Sequence, residues 1–223
     1  MADMKTNKQT LGEERRRRLS AAMREAGLDH VLLYGNAWQG DYLRYGADFG
    51  ILEGHGIAMV DADGAVELFL DSATDAERAE LEAPGVRVHF AADIARAAGA
   101  RLDRVANMRV AAAPRRFMPQ WLADPARSFS LGDATAVVDK LLMHKSMGEI
   151  DAVRRAAQIA DEAYIEFLKA VRPGRRQYEI VADIEAHLRR RGCPDNFMII
   201  GSGGKDVLGM TPPSDRRSRR AIW

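Results

Sequence analysis

The sequence predicts an α/β N-terminal domain with a mixed sheet and flanking helices, followed by the opening of a second, α+β domain. Three observations carry this prediction. Short apolar segments of strand character alternate with helix-period segments between His30 and His144, the pattern of an α/β layer. After His144 the period changes to one long helical stripe. Then an apolar strand, Phe197–Ile200, runs into the glycine turn Gly201-Ser-Gly-Gly-Lys205.

The elements follow in chain order. Residues 1–9 are polar and expected to be disordered. Thr10-Leu-Gly-Glu13 has the spacing of a capping box, Leu19, Ala22, Met23 and Ala26 recur at helical spacing, and Gly27 suits the left-handed position past a helix end. His30–Tyr34 reads as a buried strand. Gly56–Val60 and Ala65–Leu70 flank Asp61-Ala-Asp-Gly64, the turn chemistry of an antiparallel hairpin. A helix over 74–83 stops at Pro84-Gly85. A strand over 86–90, a helix over 91–102 and a strand over 105–112 follow. A short helix near 115–123, a strand near 127–131 and a helix near 133–144 complete the first domain, residues 10–144.

Beyond it, Ile150, Val153, Ala157, Ala160, Tyr164, Phe167 and Val171 step by three or four residues, an apolar stripe ended by Pro173-Gly174. A second helix carries Ile180, Val181, Ile184 and Leu188 on one face, with Gly192 just past its end. Residues 145–215 thus read as the start of a second domain, and 216–223 as an atypical tail.

Bulk composition excludes several function classes. Thirty-three basic residues against 32 acidic ones leave a net charge of +1, so there is no global attraction to nucleic acid or anionic membrane. The single cysteine, Cys193, excludes an internal disulfide framework and fits a reducing compartment. The N-terminus lacks the apolar core of a secretory signal, and no window has the length of apolar sequence that a membrane span requires. These features predict a cytoplasmic protein.

Candidate motifs weaken on mechanical grounds. A phosphate loop needs a helix start behind its glycines, yet Pro212 and Pro213 follow. A nucleophile elbow needs glycine two residues before the serine, where Ile200 stands before Ser202. Arg15–Arg18 lies among Glu13, Glu14 and Glu25 and reads as a solvated helix face; Arg216–Arg220 reads as a disordered tail. None of His30, His55, His89, His144 and His187 has zinc-ligand spacing, and His187 pairs by spacing with Asp183 on one helix.

One resemblance covers nearly the whole chain. Lys145-Ser-Met-Gly-Glu149-Ile150, Ile159-Ala-Asp161, Pro173-Gly174, Glu179-Ile180, Ile184-Glu185, Gly192 and Phe197-x-Ile-Ile-Gly-Ser-Gly203 occur in the order of the creatinase, prolidase and aminopeptidase P family, the "pita-bread" metallohydrolases. Arg18-Leu19, Met23, Gly27-Leu-Asp29 and Val31–Leu33 are similar to that family's N-terminal domain. The resemblance implies a homodimer formed through the N-terminal domain and a catalytic domain holding two divalent metal ions of Mn, Co or Zn type. It also implies hydrolysis of a C–N bond, typically Xaa-Pro, in a peptide or small-molecule substrate.

By the same resemblance Phe197, Gly201, Ser202, Gly203 and Met210 line one wall of the substrate pocket, and no catalytic or metal residue is present. Peptidase members place a substrate-contacting histidine where Met210 stands, and a Thr or Ser N-cap where Arg176 stands. The family's ligands (two aspartates, a histidine and two glutamates) follow the glycine turn, and Asp206 and Asp215 come too early to be among them. The expectation is therefore a truncated member, cut near Arg216 and inactive alone. Two alternatives remain: a non-catalytic dimerisation or partner-binding module, and a parent with creatinase-like or lyase chemistry.

Overall fold

The computed structural model describes residues 2–105, 107–119, 131–194, 196–203, 207 and 209–218, with the side chains of 2–10 outside the described set. The chain forms two compact units, Met1–Lys145 and Ser146–Trp223.

The first unit is built on a mixed six-stranded sheet in the order β4-β3-β2-β1-β5-β6. Its strands are β1 (His30–Asn36), β2 (His55–Asp61), β3 (Val66–Leu70), β4 (Val86–Phe90), β5 (Val110–Ala113) and β6 (Gly132–Asp133). β1–β2 and β2–β3 pair antiparallel; β3–β4, β1–β5 and β5–β6 pair parallel. Along β1 alternate residues enter opposite cores, as the two-residue period of a strand requires. Val31 and Leu33 pack with helices α1 (Ala2–Glu25), α2 (Asp41–Ala47), α3 (Ala73–Glu82) and α5 (Thr135–Met143). Leu32 and Tyr34 pack with α4 (Ile94–Asp103) on the other face.

Local chemistry explains the joints. The hairpin turn closes on Asp61, whose Oδ1 accepts from the amides of Asp63 and Ala65 at 3.0 and 2.9 Å, while Gly64 takes φ +90°. Ser72 caps α3 and Asp93 caps α4. Asp75, fully buried, is satisfied by the amides of Leu52 and Glu53 and by Arg78 Nη1 at 2.5 Å.

Several boundaries differ from the sequence expectation. α1 begins at Ala2, so Thr10 lies within it and is not its start. β5 is confined to Val110–Ala113 because Val105 still closes the preceding helix through its amide to Leu102 O. The helix near 115–123 is a 3₁₀ turn over Arg115–Phe117, and 120–123 fall outside the described residues. The strand near 127–131 likewise falls there except for Leu131, and the sixth strand follows at Gly132. α2 has no counterpart in the sequence reading. Asn36 Oδ1 gathers the amides of Trp38 and Gln39, and Gly46 lies so close to Leu33 that a Cβ would stand 2.6 Å from its Cδ1.

The second unit consists of α6 (Met147–Ala170), α7 (Gln177–Arg190) and the segment that returns beneath them. Ser146 and Glu149 form a reciprocal capping box at the start of α6: Ser146 N donates to Glu149 Oε2 at 2.8 Å, and Glu149 N to Ser146 Oγ at 3.3 Å. Of the expected stripe of α6, Phe167 packs against the core of this unit and most of the rest does not. Val153, Ala157, Ala160 and Tyr164 are exposed, whereas Ala163 and Ala170, with Phe167, meet Ile180 and Ile184 of α7. The small side chains Ala163 and Ala170 allow the close approach of the two helices, and most of the rest of the stripe turns outward.

Two further expectations are corrected. His187 faces Glu162 of α6, Nε2 to Oε2 3.7 Å, while Asp183 is taken by Arg175 Nη1 at 2.5 Å. The Phe197–Ile200 strand reduces to one antiparallel bridge, Ile200 with Thr211, the only pairing of that segment among the described residues.

Candidate functional site

The glycine turn is a loop closed at its base. Ile200 N donates to Thr211 O at 2.9 Å and Thr211 N to Ile200 O at 3.3 Å. Within the loop Gly201 is sterically required: a Cβ there would lie 2.8 Å from Val207 Cγ1 and 3.1 Å from Gly209 O. Gly203 adopts φ +139° and lies against the Arg216 guanidinium, 2.2 Å from where its Cβ would be.

A second residue holds this loop, and sequence reasoning missed it. Gln177, the first residue of α7, is 3% exposed. Its Nε2 donates to Ser202 Oγ at 2.8 Å, and its Oε1 accepts from Ser214 N at 3.1 Å and Ser214 Oγ at 2.7 Å. One buried amide therefore spans from the glycine turn to the segment beyond it. The signal available in the sequence was a glutamine at a helix start, where a capping residue is common, and nothing there indicates a partner 25 or 37 residues away.

Residues Ser214–Ser218 run antiparallel to the loop between α6 and α7. Tyr178 N donates to Ser214 O, Gln177 N to Arg216 O, Ser218 N to Arg175 O and Gly174 N to Ser218 O. Arg217 Nη1 adds a bond to Gly174 O at 2.7 Å. The disorder expected of Arg216–Arg220 is thus corrected for Arg216–Ser218; Arg219 and Arg220 fall outside the described residues. At the helix start Arg176 supplies no side-chain cap, and Glu179 Oε2 accepts from its amide at 2.8 Å instead. A hydrogen bond to the Tyr178 hydroxyl raises the Arg176 guanidinium further above its ordinary value, so its charge is permanent.

Of the expected wall, Gly201 and Met210 come together, Met210 Cγ lying 3.8 Å from a Cβ built on Gly201. Ser202 turns to Gln177. Phe197 is 77% and Met210 65% exposed. The chemistry of this set is hydrogen bonding and shape. The Ser202 hydroxyl meets an amide, which cannot take its proton, so no activated nucleophile forms there. Among the described residues the polar side chains that meet the turn are the Gln177 amide, the Ser202 hydroxyl and the Arg216 guanidinium, a poor donor set for a divalent ion. Among the described residues no group of three or more His, Cys, Asp and Glu side chains is placed to hold a metal. The described residues do not fit the two metals implied by the resemblance.

Comparison with known proteins gives this geometry its context. Residues 151–221 match the model of metallopeptidase family M24. Over 86 residues the chain is 30% identical to an Xaa-Pro dipeptidase of Pyrococcus furiosus, an alignment covering 38% of this chain and 25% of that protein. Over 81 residues it is 32% identical to the uncharacterized peptidase YqhT of Bacillus subtilis, covering 35% and 23%. Among solved structures, an X-Pro aminopeptidase of Thermotoga maritima superposes with a TM-score of 0.76 at 20% identity, over 92% of this chain and 58% of that one. An Xaa-Pro dipeptidase from Bacillus anthracis gives 0.65 at 22%, over 93% and 58%. This chain spans little more than half the length of those structures. In fold the chain is similar along nearly its whole length to the corresponding part of these X-Pro peptidase structures, and in sequence its similarity to the metallopeptidase M24 family lies over 151–221.

Proposed function

We propose that this chain supplies the N-terminal domain, residues 10–144, and the opening pocket wall, within 145–215, of an M24-type hydrolase acting on an Xaa-Pro bond. The observation that carries the reading is the family match over 151–221, a stretch containing the Gly201 loop and its Gln177 clamp. In this reading Phe197, Gly201, Ser202, Gly203 and Met210 shape a substrate subsite. A dinuclear centre of Mn, Co or Zn type would be held by ligands that follow the glycine turn in the family, and would supply the activated water of that reaction. The 223 residues alone are inactive, and the protein works in the cytoplasm as a homodimer formed through its N-terminal domain.

Assay of the purified chain with Xaa-Pro dipeptides and added manganese is expected to show no turnover. Co-expression with a ligand-bearing C-terminal half is expected to restore metal-dependent cleavage. Turnover by the 223 residues alone would refute their inactivity, and failure of the completed protein on every Xaa-Pro peptide would refute the substrate class.

Met210 favours a second reading. A thioether carries no proton to donate and accepts hydrogen bonds weakly, so it does not replace a substrate-contacting histidine. An amidinohydrolase or lyase reaction of the completed protein fits that change, and a guanidino-substrate panel beside the Xaa-Pro peptides separates the two.

A further inference from the structure

The arginine run on α1 is not uniformly a solvated face. Arg15 Nη1 pairs with Asp48 at 3.1 Å, and Arg18 donates to His144 O. Arg16 and Arg17 have no ion-pair or hydrogen-bond partner among the described residues. They turn instead to a hollow of about 390 Å³ between α1 and the tip of the β2–β3 hairpin, lined by Glu13, Arg16, Arg17, Ser20, Arg24, Asp63 and Gly64.

We propose that this hollow binds a phosphate group, free or as the end of a small phosphate monoester. Three independent features point there. The lining carries three guanidinium groups against two carboxylates, Glu13 and Asp63, leaving a local positive charge. Arg24 is oriented by its bond from Nη1 to Ala62 O at 2.7 Å, which ties the helix face to the hairpin. Ser20 is 4% exposed and its Oγ has no hydrogen-bond partner. A helical serine ordinarily returns its hydroxyl to the carbonyl one turn back, and a buried hydroxyl left unpaired is costly.

Gly64 packs against that hydroxyl: a Cβ there would come within 3.2 Å of Ser20 Oγ. The three guanidiniums exceed the two carboxylates by one charge, and a phosphate offsets that excess. It offers acceptors to planar guanidinium donors and to the serine hydroxyl together. The proposal is independent of the hydrolase reading, since the hollow lies wholly in the first unit.

The test is titration of the full 223-residue chain with inorganic phosphate and with glycerol 3-phosphate, followed by calorimetry at constant ionic strength with chloride as control. Saturable binding is expected, about tenfold weaker in Arg16→Gln/Arg17→Gln and unchanged in Arg96→Gln/Arg104→Gln, which removes the same charge elsewhere. Ser20→Ala is expected to weaken phosphate binding while leaving the ligand-free melting temperature equal or higher, since it deletes an unpaired buried hydroxyl. Tighter binding of the ester identifies a monoester as the occupant, and tighter binding of phosphate identifies the free ion. A non-saturable response, one matched by chloride, or equal binding by Arg16→Gln/Arg17→Gln and the unmodified chain overturns the proposal.

Discussion

Gln177 joins two stretches of the second unit that share no other side-chain link among the described hydrogen bonds. Gln177→Ala leaves the Ser202 hydroxyl without its donor and removes the acceptor for Ser214 N and Oγ. A loss of about 2–3 kcal/mol in that unit is expected, read as reduced hydrogen-exchange protection at Ser214 and Tyr178. Gly201→Ala acts on the same loop through crowding, because the added methyl meets Val207 and the Gly209 carbonyl. A cost of about 1–3 kcal/mol in chemical denaturation is expected. In the first unit His30 is buried, with Nδ1 unpaired. Burial holds its pKa below the ordinary 6.5, and Arg101 adds to this, while Asp61, Asp29 and Glu67 act the other way. The unfolded chain then binds a proton at higher pH than the folded one. His30 therefore favours the fold fully above about pH 6.5 and loses that contribution as pH falls below it. His30→Leu is expected to flatten the fall in stability between pH 7 and pH 5, measured by denaturation at each pH.

At the scale of elements, α6 owes its start to the Ser146–Glu149 box and its contact with α7 to Ala163, Phe167 and Ala170. Ser146→Ala removes the acceptor for the Glu149 amide. About 1 kcal/mol of destabilisation is expected, visible as a lower melting temperature of the second unit. The helix length was legible from its period, but its facing was not. Val153 and Tyr164 fit a helical stripe as well as Ala163 does, and only the position of α7 selects between them. The same holds for α2, whose seven residues offer too few turns for a periodic signal and contain Gly46.

The two units differ in how they are held. The first encloses two apolar cores on the faces of a six-stranded sheet; the second has a small core of Ala163, Ala170, Ile180 and Ile184 with partly buried neighbours. Apolar burial is the main source of folding free energy, so the second unit is the less stable. Limited proteolysis of the whole chain is expected to cut within 146–218 first and to leave a resistant fragment near 10–140. Equal resistance of both would contradict this difference.

By itself the sequence determined the kinds of segment, their order and the family resemblance, because periodicity, turn residues and the order of short motifs are local properties of the chain. The hairpin at Asp61–Gly64 and the helix face Ile180-Val181-Ile184 were legible for that reason. Only the tertiary structure decided which face of α6 is buried, that His187 meets Glu162, and that Gln177 grips Ser202 and Ser214. It also decided that Arg16, Arg17 and Ser20 share a hollow with Asp63 and Gly64 of the hairpin. Each of these depends on contacts between residues distant in the chain, whose partners are selected by the packing of whole elements and leave no mark on local spacing.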